Sequence, residues 1–245
     1  MNPLRILAIF AMLMPVLANA ADPTVRTDQT FTIITKIYAN QAKAPAAHHR
    51  LLFDSGVIYD LDQVDPDRVA IYDPAAKDVT LLDLEKKIQT RLSTDELVAI
   101  TAGAKAAATT PELREHLGLD AKVVDSVRVE GYAISFAGIE YDVSVQTPRH
   151  RWMATDFGRF SDLATRLNLV RREGVIPFAR MTLGSHIAAA GEIPLETRLK
   201  ITRGQQTSSF TSTATIGTLS EEDRKTIEDL RGRLALYRQV PISEL

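Results

Sequence analysis

The sequence predicts an α+β protein: an antiparallel sheet, curved enough to make a half-barrel, with helices packed on one side. Three observations point there. Runs with a period of two are separated by short Asp-, Pro- and Gly-containing strings, the pattern of strands joined by tight turns. These runs alternate rather than staying apolar throughout, so one face of each strand meets a core and the other meets water, as in antiparallel sheets. Finally, Ser93-Thr94-Asp95-Glu96 and Ser220-Glu221-Glu222-Asp223 are capping boxes, which open helices where the period changes.

The chain begins with Met1-Asn-Pro-Leu-Arg5, a short basic start, followed by an apolar run from Ile6 to Val16 and the small-x-small string Ala18-Asn19-Ala20. That order predicts a signal peptide over residues 1–20, cleaved before Ala21, and export to a periplasm or the outside medium. The apolar run is shorter than the roughly 20 residues a spanning helix needs. Residues 21–245 then read as a single α+β domain, with a meander over 30–92, a helical insert over 94–118 and a second strand-and-helix half over 129–237.

Within the meander, Phe31, Ile33, Thr35 and Ile37 alternate with Thr32, Ile34, Lys36 and Tyr38. Arg50 to Leu61 carries two strands split by Asp54-Ser55-Gly56, and Val69–Tyr72, Val79–Leu82 and Ile88–Leu92 follow between further turns. The helical insert starts at the first capping box, and Pro111–Leu117 makes a second short helix stopped by Gly118. In the second half, Tyr132, Ile134 and Phe136, then Tyr141, Val143 and Val145, form a hairpin across Ala137-Gly138. Helical spacing returns over 157–167 and again over 178–190. Two strands over 194–203 and 207–216 precede a last amphipathic helix marked by Ile227, Leu230, Leu234 and Tyr237.

Composition narrows the chemistry. The 245 residues are 45% hydrophobic and 24% charged with a formal net charge of -2, values of an ordinary folded protein with no global pull toward nucleic acid. Cysteine is absent, which removes disulfides, thiolate metal sites, a Cys nucleophile and lipid attachment through a cysteine. No GxSxG, SxxK, P-loop or GxGxxG string occurs, and no cofactor is expected. The histidines His48, His49, His116, His150 and His186 lack metal-ligand spacing on a helix, so no metal site is expected. The acidic series Asp60, Asp62, Asp65 and Asp67 fails the calcium-loop pattern, because Val64, Asp65 and Ile71 stand where ligands and the turn glycine belong.

Two local features carry functional alternatives. Phe53-Asp54-Ser55-Gly56 is similar to the catalytic loop of aspartic proteases, in which two aspartates share a proton. Asp54 is thus a candidate catalytic residue, although no second such loop is present and Asp-Ser-Gly is also good turn composition. Charge is also segregated. Residues 54–96 hold eleven acids against five Lys or Arg, while residues 149–180 hold seven arginines against three acids. Arg149, Arg151, Arg159 and Arg166, with Arg171 and Arg172, are candidates for an anion or partner site, or else form a solvated helix face.

The segment Val69-Ala-Ile-Tyr72-Asp73-Pro74 leading to Val79-Thr-Leu-Leu82 resembles the strand–Tyr-Asp/Glu-Pro–strand segment of the LolA/LolB-like superfamily of periplasmic lipoprotein carriers. Gly191-Glu-Ile-Pro194 with the strands that follow is similar to the same family. The resemblance implies a curved sheet around a hydrophobic cavity, helices closing it and acyl chains carried inside. It spans about 70 residues, and two departures stand out: no Trp precedes the turn and no Arg-Trp pair follows the first strand. No binding residue is carried over on that basis.

The reading favoured is a non-enzymatic exported protein holding an apolar ligand or a lipidated partner, a lipid or lipoprotein, in a sheet-lined cavity. Its candidate ligand-binding residues are Tyr132, Ile134, Phe136, Tyr141, Val143 and Val145, which would equally fill an ordinary core. The alternatives are a hydrolase using Asp54 and an interaction module using the arginine-rich stretch.

Overall fold

A computed structural model describes residues 29–171 and 176–245. The expected signal peptide and Arg172 lie outside these residues. The strands are β1 (Thr30–Ala39), β2 (Ala47–Asp54), β3 (Val57–Asp62), β4 (Arg68–Asp73), β5 (Asp78–Asp83), β6 (Ile88–Ser93), β7 (Val124–Asp125), β8 (Gly131–Phe136), β9 (Ile139–Gln146), β10 (Ile193–Arg203), β11 (Gln206–Gly217) and β12 (Arg238–Gln239). The helices are α1 (Thr94–Ala106), α2 (Pro111–His116), α3 (Arg151–Arg171), α4 (Phe178–Ala190) and α5 (Glu221–Leu234).

All twelve strands form one open sheet in the order β12-β6-β5-β4-β3-β2-β1-β11-β10-β9-β8-β7. Two meanders meet where β1 pairs with β11, Ile33 opposite Ile216 and Ile37 opposite Ser212. Every pairing is antiparallel except β12 with β6, which is parallel. The α+β class and the mostly antiparallel sheet are as expected. The two-residue strands β7 and β12 are additions, too short to show a period.

The turns set the register. Ser55 and Gly56 have φ of 56° and 91°, and Ala137 and Gly138 have φ of 41° and 78°, the positive pair that a two-residue type I′ hairpin requires. At Gly138 a Cβ would also lie 2.6 Å from the Thr202 carbonyl oxygen, so a side chain there would strike the neighbouring strand. Asp73 Oδ1 accepts the amides of Ala75 and Ala76, closing the Asp-Pro turn between β4 and β5.

Alternation sorts side chains to two faces. Phe31, Ile33, Leu51, Phe53, Tyr72, Val79 and Leu81 pack with Met153, Ala154, Leu163 and Leu167 of α3 and Leu97 of α1. Ile134, Phe136, Tyr141 and Val143 pack on the same face against Ala179, Leu183 and Ile187 of α4. Helix α5 is the exception to helices on one side. Its Ile227 and Leu230 cover Leu52, Tyr59, Val69, Ile71 and Leu82 on the opposite face. The cause is in the strands, since β2 to β5 carry large apolar residues at both parities and an uncovered second face would cost about 25 cal/mol per Å² of apolar surface. Asp223 anchors α5. This buried carboxylate accepts from the backbone amide (2.8 Å) and hydroxyl (2.7 Å) of Ser220 and pairs with Arg50 of β2 at 2.8 Å.

Candidate functional site

Twelve strands at a spacing of about 4.8 Å make a sheet roughly 50 Å across, and a packed helix covers only about 10–12 Å. Helices α3 and α4 therefore leave part of their face bare. Helix α3 seals β1 to β5 through Phe31, Trp152, Phe53, Tyr72 and Phe160, the last with its ring 5.2 Å from that of Tyr72. Helix α4 seals β8 and β9. Ile33, Ala214 and Ile193 of β1, β11 and β10 belong to the α3 core and Leu199 packs at the margin of the α4 cluster, but between the two seals the Ile37 and Phe210 ends of β1 and β11 open into a cavity. The register aligns Ile37, Ser212 and Thr197 in one row across these strands, and Phe210 opposite Leu199 in the next. Ile37, Leu199 and Phe210 are only half-buried, although Ile33 and Val143 on the same face are closed off.

The result is a cavity of about 930 Å³, roofed by α3 and α4 and floored by the sheet from β5 across to β9. Its apolar lining includes Ile37, Leu51, Leu183, Ile187, Leu199 and Phe210. A polar end is built by β2, β3 and β4. There His49 Nδ1 lies 2.7 Å from Asp60 Oδ1, with Asp62 and Arg68 in the same wall. Burial acts to lower the His49 pKa, but the hydrogen bond and charge of Asp60, with Asp62 behind it, outweigh burial and leave the imidazole above its ordinary value. Burial drives the Tyr72 hydroxyl far above the usual tyrosine range, with Asp60 acting in the same sense and Arg171 against it. Tyr141 is raised by burial and opposed by Arg180.

The sequence candidates fall in several places. Tyr141 and Val143 line the cavity while packing against α4. Ile134 and Phe136 are core residues beneath α4, and Val145 packs at its edge. Tyr132 is half-buried; its hydroxyl donates to Glu192 at 2.9 Å and its ring meets that of His186 edge-on at 4.7 Å. Asp54 sits at the β2–β3 turn on the α5 side, where Arg231 donates to it at 2.8 Å. Its neighbour is thus a guanidinium, and no second carboxylate is paired with it among the described residues. Of the candidate arginines, Arg151 and Arg159 line one pocket between α3 and α4, with Arg180 and Asp162 in the same wall. Arg166 is held by Asp162 at 2.7 Å, Arg159 lies 3.4 Å from Asp156, Arg151 donates to the Ala189 carbonyl at 2.8 Å, and Arg149 is exposed.

Sequence reasoning missed the His49–Asp60 pair. It was reachable: once Asp54 and Val57 flank a two-residue turn, His49 falls opposite Asp62 and diagonal to Asp60. Among the described residues no cluster of three or more His, Asp or Glu could hold a metal. No described helix is long and apolar enough to cross a membrane. No protein-family model and no curated protein matches the chain.

Proposed function

We propose that this protein is a non-catalytic carrier that shields an apolar chain, either a free ligand or the lipid of a lipidated partner, in the cavity between the sheet and α3–α4. The observation that supports this is the half-covered strip of Ile37, Leu199 and Phe210 beneath a roof of helices. Its volume of about 930 Å³ sits at the upper end of the roughly 300–1,000 Å³ typical of ligand pockets. The resemblance to lipoprotein carriers points the same way, and the signal peptide expected over residues 1–20 supports a carrier outside the cytoplasm, where an acyl chain must cross water. Each methylene moved from water into such a lining stabilises the complex by up to about 0.8 kcal/mol.

Mass spectrometry of an organic extract of the protein purified from its native compartment tests the proposal. Stoichiometric lipid or acylated peptide is the expected result, and it should be lost from a Thr197→Trp variant in which the indole fills the strip. An extract free of apolar compounds, together with no uptake of added fatty acid, would overturn it.

A further inference from the structure

The cavity wall carries charge, and the charges differ in how they are used. Asp60 is engaged by His49. Asp62 accepts the amides of Val64 and Asp65 at 2.8 and 3.1 Å. Asp83 accepts the Lys86 amide and pairs with the Lys86 ammonium at 2.8 Å, and Arg68 pairs with Asp65 at 2.8 Å. Arg171 and Arg180 also line the cavity, yet among the described residues neither makes an ion pair or a hydrogen bond. Their charge is felt by the Tyr72 and Tyr141 hydroxyls respectively, both on the cavity face of the sheet.

Along α3 the cavity-facing residues begin with the aromatic pair Phe157 and Phe160, pass through Ser161, Ala164 and Thr165, and end with Leu167, Asn168, Val170 and Arg171. Along α4 they run from Arg180 to Leu183 and Ile187. The two helices are antiparallel, with Gly158 against Ala188 and Gly184 beside Ser161. On that register Arg180 comes level with about residue 165 and Arg171 lies beyond it toward the same end of the roof, while Phe157 and Ile187 lie together at the other end.

Resting on the carrier reading, we propose that the cavity takes an anionic amphiphile. Its carboxylate or phosphate head is held by Arg171 and Arg180, and its chain runs beneath α3 and α4 toward Phe157 and Ile187. Guanidinium groups suit that head, because their planar fork donates in parallel to paired oxygens.

Calorimetric titration at low salt with dodecanoate, dodecyl phosphate and dodecyltrimethylammonium tests this, since the three share a chain and differ in head. Both anions should bind more tightly than the cation by about tenfold, the order expected of a charge-assisted contact. Arg171→Ala/Arg180→Ala should close that gap, Arg171→Lys/Arg180→Lys should keep most of it, and added salt should narrow it. Both residues are exposed and without partners, so the variants should fold, which circular dichroism checks. Equal binding of the three probes, unchanged in the alanine variant, would overturn the headgroup assignment while leaving the carrier intact. Competition by inorganic phosphate as strong as by dodecyl phosphate would also overturn it, by showing a site for free anions. Failure of every dodecyl probe to bind would remove the carrier reading, and the headgroup assignment with it.

Discussion

Lengthening the chain of a bound fatty acid provides a graded perturbation of the cavity. Moving from octanoate to dodecanoate adds four methylenes and leaves the head unchanged. A methylene fully removed from water gains about 0.8 kcal/mol, or nearly fourfold in Kd. The strip around Ile37, Leu199 and Phe210 is only half-covered, so part of each methylene stays wet and the gain falls to between about half that value and the whole. The expected slope is therefore about two- to fourfold per methylene, or roughly 16- to 250-fold over the series. Isothermal titration calorimetry measures it directly, and the heat-capacity change should become more negative with each step as apolar surface is buried. A slope indistinguishable from zero, with the heat-capacity change constant, would refute the claim that the chain lies inside.

Four further outcomes follow from the geometry. Asp223→Ala removes the reciprocal half of the α5 capping box, leaving the Ser220 amide without its acceptor, and strands Arg50, whose side chain is 36% exposed; a loss of about 2–3 kcal/mol in urea unfolding is expected, and a loss under about 0.5 kcal/mol would show that α5 does not depend on this anchor. Gly158→Ala should not deliver the roughly 1 kcal/mol that alanine normally adds to a helix, because its Cβ would meet that of Ala188 at 2.6 Å. Adding Ala188→Gly should restore stability, and a stabilised single variant would contradict the close α3–α4 contact. His49 has its folded-state pKa raised, so its contribution is complete below the unfolded value and is lost as pH rises through the folded one. Thermal melts should accordingly show wild type losing its advantage over His49→Gln on going from acidic to mildly alkaline buffer, and parallel curves would count against the His49–Asp60 pairing. Leu52→Ala, at a fully buried site facing α5, should cost about 2–5 kcal/mol in the same unfolding assay.

Much of the fold is local in origin and could be read along the chain. Period two in 31–37 and 132–145, positive-φ turns at Ser55-Gly56 and Ala137-Gly138, and the capping boxes at Ser93 and Ser220 each depend on neighbours in sequence. What escaped depends on distant partners. Arg238 and Gln239 become a strand only because β6 offers an open edge for parallel pairing. Asp54 takes its meaning from Arg231, 177 residues away. Whether Ile134 or Leu199 meets a helix or open space is decided by where α3 and α4 come to rest, so the inward face was legible and its division into core and cavity was not. Arg159, Arg166 and Arg151 carry no information about use until their partners Asp156, Asp162 and the Ala189 carbonyl are in place.

The central claim, that an apolar chain lies between the sheet and α3–α4, is tested most directly by photo-crosslinking. A fatty acid carrying a diazirine near its methyl end is bound and irradiated, and the labelled peptides are mapped by mass spectrometry. Labels on the cavity-facing residues Phe157, Ile187, Leu199 or Phe210 are the expected result, competed away by unlabelled dodecanoate. Labels confined to exposed apolar residues such as Val127 or Leu236, and insensitive to competitor, would contradict the claim.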